Sequence, residues 1–356
     1  MGNKSSRETR QEESEEPPSE ESGGTAAELS YFQMAKIGYE QLVHAIIRPP
    51  RCQYNLKHLG PTTFSFGVRQ IRRKDFELHN MREQLVACSL WEPEDRQGEK
   101  LPCIIYMHGN SSARVEALPQ LTLALALGCT FLAFDFAGSG LSEGEYVSLG
   151  YFERDDLQVV IEYLRGTGMT TSIALWGRSM GAATALMHGE RDPSIGAMIL
   201  DSSFADLTLL AQSMVEKGKE QGYSVPSFVV KLAIRFIRSS VQKAAHFDIK
   251  ELSPIKHVGT CFIPALFAAG GSDNFVPPSH SQLLHDGYAG EKSLHIVDGD
   301  HNTPRPADFF HISAIFLIDA LQIPEEKISR EGLTWAGSGM GPWAVSKRIG
   351  RVQSMS

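Results

Sequence analysis

The sequence predicts an α/β domain: a mostly parallel central sheet, helices on both of its faces, and a small helical cap. Three observations carry this prediction. Strand-like and helix-like stretches alternate from about Phe76 to Leu321, as they do where covering helices join the strands of a parallel sheet. Several apolar strand-like runs stop in loops that hold Gly, Asp, Ser or His. The pentapeptide Gly177-Arg178-Ser179-Met180-Gly181 lies between one such run, Ser172–Trp176, and the helix-prone Ala182–Leu186. A chain of 356 residues is long enough for one large domain of this kind with an extension at each end.

Residues 1–28 read as a disordered acidic tail. They carry 8 acidic and 3 basic side chains, more than half of the net charge of −8, and such a block stays solvated. Within it, Met1-Gly2-Asn3-Lys4-Ser5-Ser6 matches the N-myristoylation signal, with Gly2 exposed after Met removal and Ser at the sixth position. One myristoyl chain binds a membrane with K of only about 10⁴ M⁻¹, so stable anchoring needs a second signal. No cysteine lies near Gly2, and the glutamates that follow are repelled by anionic lipid. Residues 29–70 read as a helix and an extended lead-in. The helix, Tyr31 to Ile47, carries an apolar stripe through Met34, Ile37, Leu42, Val43, Ile46 and Ile47 and is stopped by Pro49-Pro50. That stripe either supplies the second membrane signal or packs on its own domain.

The domain itself is placed at 71–322. Phe76–His79 and Gln84–Trp91 read as an edge hairpin, followed by strands near 103–107, 131–135, 172–176, 197–200, 264–269 and 292–297. The stretch from Asp201 to Pro264 is too long for an ordinary connection. It holds two helices with apolar faces, Leu207–Val215 and Phe228–Ile237. Residues 204–260 form an insertion; the resemblance to known hydrolases that the motifs below carry implies that it is a cap, which would exclude water and shape an acyl or alkyl pocket, and the alternative is that the second helix packs on the sheet. Residues 323–356, rich in Gly and Ser and ending in Lys347, Arg348 and Arg351, read as a largely disordered tail.

The chemistry centres on Ser179. A G-x-S-x-G between strand and helix is a nucleophile elbow, in which the flanking glycines permit a sharp turn that exposes the hydroxyl. A serine hydroxyl needs a neighbouring base, and the base needs an orienting acid. In the chain order Ser, Asp, His, the candidates are Asp273, past the run Pro264–Ala269, and His301, past Lys292–Val297. Asp201, after Ala197–Leu200, is the rival acid. Asp298 and Asp300 are too close in sequence to His301 to orient it and are read as turn formers. The oxyanion donors are expected to be the backbone N–H groups of Met180 and Asn110, with Ser111 next. His108 is read as a brace for the Asn110 loop and not as the base.

Taken together, His108-Gly109-Asn110-Ser111, Asp135-Phe136-Ala137-Gly138-Ser139-Gly140, Gly177-Arg178-Ser179-Met180-Gly181 and Gly299-Asp300-His301 resemble the α/β-hydrolase superfamily over roughly residues 70–320. The likeness is strongest to its serine hydrolase branch related to serine aminopeptidases, monoacylglycerol lipases and protein depalmitoylases. The sequence also resembles a group of eukaryotic hydrolases that share the elbow Trp176–Ala182 and the segment Arg48-Pro49-Pro50-Arg51. The resemblance implies the α/β-hydrolase fold and the triad, but not the substrate, because one frame hosts many chemistries. Asp135–Gly140 is no dinucleotide loop, since the third glycine of G-x-G-x-x-G would fall on Glu143.

These readings lead to a serine hydrolase that cleaves an ester or thioester, with a lipid or an S-acyl protein as the attractive substrate. No cofactor or metal is called for. The alternatives are an aminopeptidase-like serine peptidase and a non-catalytic scaffold that keeps the fold. A dehalogenase or epoxide hydrolase would need a carboxylate where Ser179 stands. The acidic balance gives no footprint for nucleic acid. The 5 scattered cysteines show no metal spacing and suit a reducing cytosol. Without a secretory signal or a spanning apolar run, the expected location is the cytoplasm, peripheral on the cytosolic face of a membrane if Gly2 is acylated.

Overall fold

The computed structural model describes residues 31–345 except 221 and 223–225. Gly2, the acidic segment 1–28 and residues 346–356 lie outside the described residues. The chain divides after Glu40, and the sheet, the candidate site and the expected cap all belong to the unit 41–356. Helix α1 is Tyr31–Ile47, and past Gln41 its Val43 and Ile47 are buried.

Among the described residues nine strands form one sheet in the order β1-β2-β3-β5-β4-β6-β7-β8-β9. They are β1 Thr63–Phe66, β2 Arg69–His79, β3 Leu85–Pro93, β4 Leu101–Met107, β5 Thr130–Phe134, β6 Thr170–Arg178, β7 Ala197–Asp201, β8 Ala265–Gly270 and β9 Lys292–Val297. The first three strands and the β3–β5 pair run antiparallel. From β5 through β4 to β9 every pair is parallel. The sequence explains the difference. Strands β4, β5, β7 and β8, and β6 from Ile173 on, are almost continuously apolar and buried, as strands covered on both faces must be. By contrast β2 mixes Arg, Lys, Asp and Glu with Ile, Phe and Leu and leaves much of its length exposed. Helices α2 Leu118–Ala126, α3 Glu153–Gly166, α4 Met180–Gly189, α7 Pro278–Gly287 and α8 Ala307–Ala320 connect or follow the strands. The insertion between β7 and β8 holds α5 Leu207–Glu220 and α6 Ser227–Ala245. Among the described residues no helix is long and apolar enough to cross a membrane.

Two boundaries differ from expectation. The sheet begins at Thr63, not after residue 70. The two-residue hairpin Gly67-Val68, with Gly67 at φ 57°, adds β1 outside β2 and buries Phe64 and Phe66. The C-terminal stretch is not disordered from residue 323. Helix α9, Arg330–Thr334, is capped by Ser329, whose side chain accepts the Gly332 N–H. Ile323, Ala336 and Val345 are buried, and the Trp343 ring meets Phe64 edge-on at 5.7 Å. Gly60 is needed there, because a Cβ would come within 2.3 Å of that indole. A few spaced apolar anchors thus dock a segment whose average composition is that of a loop.

Helix α4 is buried along its whole length, including His188. Burial pulls the His188 pKa down to about 4 from 6.5, outweighing the opposite pull of Asp192. The imidazole is therefore neutral in the fold but protonates in the unfolded chain as pH falls through 6.5. Stability is lost over that window, by about 2 kcal/mol between pH 7 and pH 5. Urea midpoints at the two pH values should show this loss, and His188→Met should flatten it.

Candidate active site

Strands β4, β6, β8 and β9 deliver their loops to the carboxyl edge of the sheet, where sites of open α/β sheets are built. Ser179 follows the last residue of β6 and precedes the first of α4. Its backbone sits at φ 51° and ψ −112°, a conformation that L-residues adopt only when the surroundings enforce it. The glycines supply the room. A Cβ on Gly177 would lie 2.3 Å from the Gly181 carbonyl, and one on Gly181 would lie 2.1 Å from the Met107 oxygen. The Ser179 N–H donates to the Asp201 carbonyl at 2.7 Å, and the Ser179 carbonyl accepts the Ala183 N–H at 3.0 Å. The elbow is thus stapled to β7 on one side and to its own helix on the other.

The structure brings the three predicted side chains together. His301 Nε2 lies 3.0 Å from Ser179 Oγ, and His301 Nδ1 lies 2.7 Å from Asp273 Oδ2. The other carboxylate oxygen, Oδ1, accepts the N–H groups of Phe275 at 2.9 Å and Val276 at 2.8 Å. With Asp273 acting only as acceptor, His301 Nδ1 carries the proton and Nε2 is left free to accept from the serine hydroxyl. The loops that carry the acid and the base are tied to each other. The Gly271 N–H donates to Val297 and the Ser272 N–H to Gly299. A Cβ on Gly270 would meet the Gly299 oxygen at 2.6 Å. Asp273 is shut off from solvent, while the His301 side chain remains 12% exposed, so the imidazole is reachable and its carboxylate partner is dry. The Phe275 ring, half exposed, stands 5.1 Å from the imidazole.

The expected oxyanion segments flank the hydroxyl. Met180 opens α4, so its N–H is one of the unpaired amides at a helix N-terminus. On the β4 side, a Cβ on Gly109 would lie 3.8 Å from the Ser179 Cβ, which sets this loop against the nucleophile. The Ser111 N–H is taken by Asn110 Oδ1 at 3.0 Å, which favours the Asn110 amide over that of Ser111. His108 braces the loop. Its Nδ1 bonds the Gly109 carbonyl at 2.8 Å, and its Nε2 accepts the Phe136 N–H at 3.1 Å. Asp135 likewise accepts from Arg114 N and Leu141 N, so Asp135–Gly140 is a structural turn. Asp300 Oδ1 accepts from Asn302 and Thr303 and shapes the turn that carries His301.

Asp201, the rival acid, is engaged elsewhere. It is buried and paired with the equally buried Arg305, whose Nε and Nη2 donate to it at 2.8–3.1 Å. Burial works against the charge on Arg305, but Asp201 outweighs it and holds the guanidinium protonated. Arg305 also donates through Nη1 to the Asp300 carbonyl at 3.0 Å, and Arg178 donates through Nη2 to the His301 carbonyl at 2.6 Å. Two arginines therefore strap the His301 loop to β6 and β7. Sequence reasoning missed both. The signal for Arg178 lay inside the elbow pentapeptide, whereas Arg305, a few residues beyond His301, gave none. Glu116 was also missed. Its Oε1 accepts the Tyr106 hydroxyl at 2.8 Å and the Gly109 N–H at 3.2 Å, fixing the loop beside the nucleophile. Arg305→Ala would leave Asp201 buried without a counter-charge and should destabilise the fold by about 3–5 kcal/mol. Urea denaturation checks this loss.

In the insertion, α5 leans on the acid loop: Lys217 Nζ donates to the Asn274 carbonyl at 3.2 Å and to Asn274 Oδ1 at 3.0 Å. Helix α6 packs against the short turn Ile249–Glu251 that follows it.

Comparison with known proteins agrees with this architecture. Residues 102–245 match the family described as serine aminopeptidase, S33. The chain is 31% identical over 205 residues to the uncharacterized protein YqkD of Bacillus subtilis, covering 56% of this chain and 64% of that one. It is also 31% identical over 129 residues to the lysophosphatidylserine lipase ABHD12 of Gallus gallus, covering 34% of this chain and 32% of that one. The matches thus span less than two thirds of the length of either relative. Among solved structures, the Pyrococcus furiosus esterase Pf2001 superposes with a TM-score of 0.57 at 20% identity, over 76% of this chain and 98% of that one. With its nine-stranded, mostly parallel sheet and its sharp turn at the end of β6, the chain has the α/β-hydrolase fold.

Proposed function

We propose that this protein is a serine hydrolase that cleaves carboxylic esters or thioesters through an acyl-enzyme on Ser179. One observation carries the reading: a single imidazole bridges Ser179 Oγ at 3.0 Å and Asp273 Oδ2 at 2.7 Å, the arrangement that general-base catalysis needs. As Ser179 Oγ attacks the acyl carbon, His301 Nε2 takes its proton. Asp273 holds the Nδ1 proton and stabilises the imidazolium. The negative charge that develops on the carbonyl oxygen is met by the N–H groups of Met180 and Asn110. Collapse of the tetrahedral species breaks the bond to the leaving alcohol or thiol, which receives the proton from His301. Water, activated by the same base, then releases the acid.

For the substrate, the support is an apolar approach. Phe275 stands beside the imidazole, and Leu209 and Met214 are exposed on α5, the helix bonded to the acid loop. This suits an acyl chain, and the lysophosphatidylserine lipase among the relatives points the same way. N-myristoylation at Gly2 remains part of the proposal. It would bring the protein to the cytosolic face of a membrane and needs a partner signal. The test is a series of p-nitrophenyl esters of rising chain length, with acyl-thioesters and aminoacyl p-nitroanilides beside them. Turnover of esters or thioesters that strengthens with chain length supports the reading. Turnover of the anilides alone would make the protein a peptidase.

A further inference from the structure

Helix α6 has two apolar faces where a surface helix needs one. Ile237, Val241 and Ala245 are buried and recur every four residues along its inner side. On the opposite side Phe228, Leu232 and Phe236 are 71%, 50% and 56% exposed, joined by Val229. These three are again four residues apart, so their side chains form one continuous outward ridge. Lys231 and Arg235 run along one edge of the ridge, and Lys243 lies on the same outward side further along. All three are exposed, and none is ion-paired among the described residues. The helix carries four basic residues and no acidic one, in a chain whose net charge is −8.

We infer that the outward face of α6 docks on an anionic lipid surface. An exposed Phe/Leu ridge edged by unpaired cations is the composition of a helix that lies in the plane of a membrane interface: rings and Leu enter the acyl boundary while Lys and Arg meet the headgroups. The charge argues against the other occupant that such a ridge invites, a second copy of this chain. A two-fold contact would set the same cations against each other. Docking by α6 uses residues other than Gly2 and the α1 stripe, and it does not depend on whether Ser179 turns over an ester. Its consequence would be spatial, since α6 shares its insertion with α5, which is bonded to the Asp273 loop.

The test is flotation of the full chain, produced without lipidation, with vesicles of phosphatidylcholine alone or mixed with phosphatidylserine. The native chain should bind the mixed vesicles, bind neutral ones much more weakly, and be released by salt. Lys231→Gln with Arg235→Gln should weaken binding about twenty-five-fold, at about fivefold per cation. Phe228→Ser with Phe236→Ser should weaken it about tenfold or more. Both pairs are exposed, so thermal melts should match the native chain, and Ser179→Ala should bind as the native chain does. The inference is overturned if the native chain ignores anionic vesicles, or if the variants bind as well as it does. It is equally overturned if light scattering shows a dimer that Phe228→Ser with Phe236→Ser dissolves, which would make the ridge a self-interface.

Discussion

Ser179→Ala is expected to lower ester turnover by at least about 10⁴-fold, because the acyl-enzyme then has no oxygen on which to form. The fold should survive, since Ser179 makes its structural hydrogen bonds through the backbone, to Asp201 and Ala183. Ser179→Gly makes a sharper point. The native residue is held at φ 51° and ψ −112°, and glycine removes the strain of that position at some cost in chain entropy. Ser179→Gly should therefore be as inactive as the alanine variant yet more stable than the native chain, by about 1 kcal/mol. Thermal melts beside ester kinetics test both halves. An inactive protein that is also less stable would mean that the elbow is not strained.

Asp273→Asn is expected to lower kcat by about 10⁴-fold with little change in KM. The native carboxylate has one oxygen on two backbone N–H groups and the other on His301 Nδ1. An asparagine placed here keeps its carbonyl oxygen on the two amides and turns its NH₂ toward the imidazole. His301 must then present a lone pair at Nδ1 and carry its proton on Nε2, where it faces Ser179 and can no longer accept. The loss should therefore appear in kcat, and saturation kinetics with a soluble ester would show it. Asp201→Asn is the matched control. Asp201 is bonded to Arg305 and not to His301, so its effect should be mainly on stability.

Much of this arrangement is legible in the chain because it depends on local signals. Buried parallel strands are continuous apolar runs, and the loops that follow β4, β6, β8 and β9 carry Gly, Asp, Ser and His where the turns demand them. The elbow could be read because Gly177 and Gly181 answer close backbone contacts that no other residue allows. What was not legible depends on distant partners. Arg178 and Arg305 act on carbonyls of the His301 loop; Arg178 sits inside the elbow pentapeptide, but its distant partner is not written there, and nothing around Arg305 announces its role. Glu116 belongs to the Gly109 loop through contacts made only once β4 and the turn after it are in place. Strand β1, with the short run Thr-Phe-Ser-Phe, is a weak signal that becomes a strand by pairing with β2. The segment after residue 323 looks like a loop by composition, yet Trp343 and α9 dock it, because isolated anchors do not move an average. In α6 the apolar residues foresaw a helix but not that one of its two apolar faces stays in solvent.

The central claim is that Ser179 is an activated nucleophile, and labelling by a fluorophosphonate probe tests it most directly. The native chain should take up one probe per molecule, located by peptide mass analysis to the segment containing Ser179, and Ser179→Ala and His301→Ala should take up none. A folded native chain that stays unlabelled, or that is labelled as fully in the Ser179→Ala variant, would contradict it.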